Sequence, residues 1–211
     1  MDNDADKIID LYERHAKAWV GARLQATQLY ERGWFNKFFG LIGVGGSVLD
    51  LGCGAGEPLA THLVTQGYSV TGVDSSPAMI SLFQDRLPDQ ETLVADMRRL
   101  ALNRVFNGIL AWDSFFHLNH DDQRRMFPIF RAHAAPRATL MFTSGPAHGE
   151  AIGQLEREPL YHASLAPEDY KQLLDSHGFD VVAFVPNDPD CGGHTVWLAQ
   201  LREAAFAAVE A

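Results

Sequence analysis

Three glycines at alternate positions, Gly52, Gly54 and Gly56, follow directly on the apolar run Ser47-Val48-Leu49-Asp50-Leu51. Glycine enters the left-handed backbone region without a steric penalty and has no Cβ. A strand-to-helix turn of this composition therefore lets a ligand lie against main-chain amides. Glu57-Pro58 comes next, with proline suited to a first helical turn. Carboxylates recur downstream: Asp74, Asp96 and Asp113 close the short runs VTGVD, TLVAD and ILAWD. A carboxylate accepts hydrogen bonds from hydroxyls, amines and amides, so acids at the ends of successive strands can read the polar edge of a small ligand. A single Asp in such a place would be read as a helix N-cap, but a series in register favours the ligand.

Two nucleotide readings compete for the glycine turn. The spacing is GxGxG rather than the dinucleotide GxGxxG, and no GKS or GKT follows, which removes the P-loop. Asp74 lies 22 residues beyond Gly52, near the roughly 20 at which an acid meets ribose hydroxyls. A nicotinamide oxidoreductase remains the rival that the glycine spacing disfavours.

The elements that must position these groups alternate. Residues 4 to 32 carry apolar residues at helical steps (Ile8, Leu11, Tyr12, Trp19, Leu24), with Gly33 as the expected end and residues 38 to 46 as a glycine-rich lead. Strands are expected at 47–51, 68–73, 91–95, 106–112 and 137–143, and helices at 59–66, 78–87 and 121–134, the last irregular at Pro128. Such alternation implies right-handed βαβ units and a mostly parallel sheet, with ligands beyond the carboxyl ends of the strands. Residues 144–166 show no clear periodicity and read as a long active-site loop. A helix over 167–177 and two strands, 179–185 and 195–201, follow. The latter pair is expected to be antiparallel, because no helix joins them. The tail EAAFAAVEA reads as a short helix.

Composition bounds the partners. The chain has 211 residues, 46% of them hydrophobic, and a formal charge of −10 from 27 acidic and 17 basic residues. With no basic block, neither nucleic acid nor an anionic membrane is expected as the main partner. No stretch approaches the ~20 apolar residues of a membrane span and MDNDADK is no signal sequence, so a cytoplasmic location is expected. Cys53 and Cys191 read as free thiols.

Taken in order, VLDLGCGAG, VTGVDSSPAMI, VADMRRL and ILAWDSFFHL resemble the motifs of class I S-adenosylmethionine-dependent methyltransferases, of the small-molecule type with a near-minimal core. The resemblance implies a Rossmann-like three-layer sandwich: a seven-stranded sheet, six strands parallel and the last inserted antiparallel. It implies one domain over 1–211, with a helical cap at 1–40. It further implies that Asp50 and the loop Gly52-Cys53-Gly54-Ala55-Gly56 hold the methionine moiety. Asp74 would accept from the ribose hydroxyls, Ser75 and Met79 would border the adenine, and Asp96 with Met97 would meet its edge. Trp112 and Asp113 would lie at the sulfonium end, and Tyr12, Trp19 and Arg23 would be brought over the cofactor by the N-terminal helix.

On the substrate side, methyl transfer needs alignment and, for some acceptors, a base. His117 and Asp113 are the candidates for catalysis, with His120, Tyr161, His162 and His194 expected at the same edge. His117-x-x-His120 is not accompanied by HExxH or a paired CxxC, so no metal is expected. The Asp/Asn-Pro-Pro-aromatic motif of nucleic-acid amino-methyltransferases is absent from Trp112-Asp113-Ser114-Phe115. The resulting expectation is methylation of an oxygen or nitrogen of a small molecule by a monomer or homodimer, with S-adenosylhomocysteine as product. A cofactor-binding sensor or subunit without transferase activity is the alternative.

Overall fold

The computed structural model describes residues 4–24 and 29–203. A 3-10 turn at Asp4–Asp6 leads into α1 (Lys7–Leu24), and α2 spans Arg32–Ile42. Then come β1 (Ser47–Leu51), α3 (Leu59–Thr65), β2 (Ser69–Asp74), α4 (Pro77–Arg86), β3 (Glu91–Val94) and β4 (Phe106–Ala111). After these run α5 (His120–Ala132), β5 (Ala134–Ser144), β6 (Gly149–Leu155), β7 (Glu158–Ser164), α6 (Pro167–Ser176), β8 (Phe179–Asp188) and β9 (His194–Leu201).

Seven strands form one sheet in the order β3-β2-β1-β4-β5-β9-β8. β1 to β5 pair in parallel, and β9 runs antiparallel between β5 and β8. This is the expected topology. Strand order reverses between β1 and β4, so the crevice at the switch point opens beyond their carboxyl ends. Asp50 and Asp74 stand at the ends of β1 and β2, and Asp96 and Asp113 lie two residues past β3 and β4. The four carboxylates thus share one rim.

Each face of the sheet is covered by its own core. Phe115, Phe127, Phe130, Phe142, Tyr170 and Trp197 pack on one side, and Trp34, Phe35, Phe38, Leu110, Met141 and Val196 on the other. Gly108, in the middle of β4, has a packing reason: a Cβ there would lie 2.5 Å from the Phe38 ring. Burying one such ring contributes on the order of 2–3 kcal/mol. Local signals place the helix starts. Ser76 accepts from the Met79 amide ahead of Pro77, and Asn119 caps α5 through the Asp122 amide. α5 continues through Pro128 to Ala132.

Three expectations change. The N-terminal helix ends at Leu24 rather than at 32, and residues 25–28 lie outside those described. Gly33 sits inside α2, whose buried Trp34, Phe35 and Phe38 favour a helix over the glycine-rich lead. Residues 144–166 are no irregular loop, because β6 and β7 pair as an antiparallel hairpin. Its two-residue turn is Glu156-Arg157, with φ of 49° and 70°. That geometry belongs to a type I′ turn, which ordinarily announces itself by Asn-Gly. The alanine-rich tail lies outside the described residues, and among these no helix is long and apolar enough to cross a membrane.

Candidate active site

The turn after β1 builds the floor of the site. Gly52 and Cys53 donate their amides to the Val73 carbonyl at 2.7 and 3.1 Å, which ties the loop to β2. Gly52 has φ 73°, and a Cβ on it would lie 2.2 Å from Ser114 Cβ, so no other residue fits between the two strand ends. The Gly54 and Ser76 amides donate to the two carboxylate oxygens of Asp74, each at 2.9 Å. Burial raises Asp74 even against these amides. Asp50 is only 3% exposed; burial, and then the nearby Asp74, push its carboxyl up to about 7. Burial likewise pushes the Cys53 thiol up, so it is no thiolate.

α1 roofs this floor. Trp19 lies 3.6 Å from where a Cβ on Gly54 would stand, and Tyr12 meets Trp19 edge-on at 6.1 Å. Glu13 fastens the helix to the start of α4, accepting from Ser76 Oγ and the Ala78 amide. Arg98 makes a second tie, reaching Asp6 at 2.9 Å and Asp122 at 3.2 Å. The same guanidinium forks onto Asp96, with Nη2 2.8 Å from Oδ2. Burial alone would raise Asp96, but Arg98 holds it below the usual carboxylate range. Asp96 therefore brings to the cavity a charge already shared with an arginine. Arg23 is committed in the same way, since it pairs with Glu31, which is fully buried.

Two hydrogen-bonded histidines stand at the far end. His117 Nδ1 lies 2.8 Å from the Tyr161 carbonyl and Nε2 lies 2.9 Å from the Tyr12 hydroxyl. A carbonyl only accepts, so Nδ1 carries the proton and Nε2 accepts from Tyr12. Burial, reinforced by His162, pushes His117 down to about 4 against the pull of Tyr161 and Asp113. The ring is neutral. Asp113, in the left-handed region at φ 48°, places Oδ1 2.9 Å from His194 Nε2. His194 is stacked between Tyr30 and Trp112, at centroid distances of 5.5 and 5.6 Å. Its Nδ1 faces the Cys191 carbonyl at 2.7 Å. With acceptors at both nitrogens, and Asp113 outweighing burial, His194 is raised.

The cofactor-binding and catalytic candidates read from the sequence line one cavity: Tyr12, Trp19 and Arg23 from α1; Asp50, Gly52, Cys53, Gly54 and Gly56; Asp74, Ser75 and Met79; Asp96 and Met97; Trp112, Asp113 and His117. The four further groups expected at this edge, His120, Tyr161, His162 and His194, do not line it; His120 instead ties α5 to the hairpin through the Gly149 and Ser164 carbonyls. Sequence reasoning passed over Ser114, Arg98 and the Tyr30-Glu31 pair. Ser114 directly follows the Asp113 motif, and Arg98 lies within VADMRRL. Tyr30 and Glu31 carry no motif.

The cavity fits S-adenosylmethionine on two observations. Asp50 lines it with a buried carboxyl whose environment holds burial and the nearby Asp74 but no hydrogen-bond donor, and the indole Nε1 of Trp112 is buried without a partner. A ligand with an ammonium and a polar edge answers both.

Known proteins resemble this chain in sequence or in fold. Trans-aconitate 2-methyltransferase of Shigella dysenteriae is 42% identical over 133 residues, covering 63% of this chain and 52% of that protein. An uncharacterized methyltransferase of Alkaliphilus oremlandii is 26% identical over 137 residues, covering 62% and 63%. The match thus spans about half of the curated trans-aconitate enzyme. Among solved structures, 1,6-didemethyltoxoflavin-N1-methyltransferase of Burkholderia thailandensis, with S-adenosylhomocysteine bound, superposes with a TM-score of 0.72 at 17% identity, covering 96% of this chain and 92% of that one. The glycopeptide N-methyltransferase MtfA, also with S-adenosylhomocysteine, gives 0.68 at 20% identity, covering 84% and 91%. The family model described as a methyltransferase domain matches residues 24–183, and with the sheet order and the rim of carboxylates around one cavity it makes this chain a member of the methyltransferase-domain family, with the fold of the class I S-adenosylmethionine-dependent enzymes.

Proposed function

We propose that the chain transfers a methyl group from S-adenosylmethionine to an oxygen or nitrogen of a small-molecule acceptor. The observation that carries this reading is Asp50, a buried carboxylate facing the cavity beside the glycine loop with no donor of its own. Such a group is costly unless a cation meets it, and the ammonium of the methionine moiety is that cation. The cofactor supplies a methyl group activated by a sulfonium, so the leaving group needs no acid.

The chain's residues then have assignable tasks. The Gly52–Gly56 loop brings main chain close to the methionine end. Each Asp74 oxygen already takes one amide and keeps a lone pair for a ribose hydroxyl. Asp96, Met97, Ser75 and Met79 surround the adenine side, with Arg98 fixing Asp96. Tyr12, Trp19 and the rest of α1 exclude water from the sulfonium, which strengthens every electrostatic contact within. His117, pushed down to about 4, is a poor proton sink, so its part is to hold the Tyr12 hydroxyl in place. Asp113, oriented by His194, stands beside Trp112 in the cavity and accepts a hydrogen bond from the acceptor group. The name of the trans-aconitate enzymes supports a small metabolite as acceptor, while the partial overlap leaves their particular acceptor with them.

Calorimetric titration with S-adenosylhomocysteine tests the cofactor, with micromolar binding expected and none expected for NAD. Formation of S-adenosylhomocysteine from S-adenosylmethionine and a metabolite extract separates a transferase from a sensor. Binding without turnover in any extract favours the sensor.

A further inference from the structure

The four carboxylates of the rim follow the strand order, with Asp96 after β3, Asp74 at the end of β2, Asp50 at the end of β1 and Asp113 after β4. In the reading above, the adenine, the ribose and the methionine moiety of the cofactor take the first three in turn. Asp113 is left, on the side of β1 away from β2. It lines the same cavity, and a quarter of its side chain is exposed. Its Oδ1 lies 2.9 Å from His194 Nε2 and 3.5 Å from Thr143 Oγ1, and no described residue donates to Oδ2. One carboxylate oxygen therefore remains for the molecule that receives the methyl group.

The charges around that oxygen decide what it can serve. Of the 17 lysines and arginines in the chain, Arg23 and Arg98 line the cavity. Arg23 pairs with the fully buried Glu31 and lies over the Tyr30 ring at 4.9 Å, while Arg98 is shared among Asp96, Asp6 and Asp122. Just outside the lining, His194 is tied to Asp113 and Arg86 lies 3.3 Å from Glu57. The residues outside those described contain no lysine, arginine or histidine. A carboxylate acceptor would thus find every cation already paired, and would stand beside Asp113.

A hydroxyl acceptor has to lose its proton, so it needs a base. His117 Nε2 already accepts from the Tyr12 hydroxyl, and both His194 nitrogens face acceptors, so that each carries a proton. Neither imidazole is free to take another. An amine requires neither a cation nor a base. It enters as the free base, its proton having passed to water, and its nitrogen lone pair attacks the methyl carbon. The carbon–sulfur pair stays on sulfur, which leaves as the neutral thioether, and the positive charge passes to nitrogen, whose own protons remain on it. An N–H donated to a carboxylate oxygen strengthens as that charge builds, so the contact favours the transition state over the ground state.

Resting on the methyltransferase reading above, we infer that the acceptor is a primary or secondary amine methylated on nitrogen, and that Asp113 Oδ2 holds its N–H and meets the charge that develops there.

The test incubates the full chain with methyl-labelled S-adenosylmethionine and a metabolite extract. A parallel sample of the extract is first acetylated with acetic anhydride and then treated with hydroxylamine, which frees oxygens and leaves these amines blocked. Transfer is expected with the untreated extract and should fall about tenfold or more with the blocked one. The labelled product should survive mild alkali and be retained by a cation exchanger. Label released by alkali as methanol marks a carboxyl methyl ester and overturns the amine, as does transfer that blocking leaves unchanged. With the active fraction as substrate, Asp113→Asn is expected to lower kcat/KM about tenfold or more, with S-adenosylhomocysteine affinity within about threefold as the sign that the cavity is intact. A rate within about twofold of the wild type overturns the part given to Asp113. Failure of S-adenosylhomocysteine to bind, or no labelled product from any fraction, overturns the methyltransferase reading instead, so the two failures are told apart.

Discussion

Asp113 Oδ1 and His194 Nε2 lie 2.9 Å apart, one in the turn after β4 and the other at the start of β9, and so they join the two central strand ends that flank β5. The His194 ring is held on both faces by Tyr30 and Trp112 and at its other nitrogen by the Cys191 carbonyl. A ring so fixed presents a charge in one place, and Asp113 is oriented by it.

Replacing His194 by Gln should therefore disturb both stability and turnover. The folded-state pKa of His194 is raised, so its contribution is fully present below the unfolded value of about 6.5 and is lost as pH rises through the folded one. Melting curves from pH 6 to pH 9 should show a decline in the wild type that is shallower in the variant. The rate constant should fall about tenfold, with S-adenosylhomocysteine affinity within about threefold. Parallel pH profiles would show that the pair carries no charge in the folded protein.

Asp50 makes a prediction of the opposite kind. Its carboxyl is pushed up to about 7, first by burial and then by Asp74. The cost of ionising it appears as pH rises from about 4 through 7, and it is felt in full above that. Asp50→Asn should melt about 4 °C or more above the wild type at pH 8, with the difference shrinking as pH falls and closing near pH 4. The same change should weaken S-adenosylhomocysteine at least tenfold, a residue kept for function against stability. A variant that is no more stable and binds normally would remove Asp50 from the site.

Asp74→Ala should weaken S-adenosylhomocysteine by tenfold or more in calorimetry, and an effect within twofold would remove Asp74 from the ribose. Because Asp74 also takes the Gly54 and Ser76 amides, alanine loosens the loop as well. Asp74→Asn keeps one oxygen for an amide, so it should melt closer to the wild type than alanine does. Its loss of affinity then reports the ligand contact.

Much of this was legible in the chain because the glycine turn and the acids depend on local sequence. Gly52 must be glycine to pass Ser114, and Asp50, Asp74, Asp96 and Asp113 each follow a short apolar run, so strand ends and carboxylates are read together. The hairpin was not legible, since its turn uses Glu156-Arg157 at positive φ and its strand β6 is largely exposed, with Ile152 58% accessible. Neither turn chemistry nor alternation marks it. α2 was hidden by Gly33 and Gly40, whose helical conformation is decided by the burial of Phe35 and Phe38, the latter against Gly108 of β4, rather than by propensity. The His194–Asp113 contact joins residues far apart in sequence, and no spacing announces it.

Tyr12 and His117 give the last prediction. The 2.9 Å contact from the Tyr12 hydroxyl to Nε2 is partly buried, and His117 is pushed down to about 4. Tyr12→Phe removes the donor and leaves a buried nitrogen unsatisfied, at a cost of about 1–3 kcal/mol. A histidine neutral in the folded protein and charged in the unfolded one loses stability as pH falls from about 6.5 through 4. His117→Asn should therefore flatten the acid limb of the melting profile. If His117 orients Tyr12 and does not itself take the proton, the pH profile of the rate constant should carry no inflection near 4 that disappears in His117→Asn. Tyr12→Phe and His117→Asn should then lower the rate constant by similar factors, about tenfold, and the double variant should lose little more than either alone. Additive losses would mean that the two act separately, with His117 serving the acceptor directly.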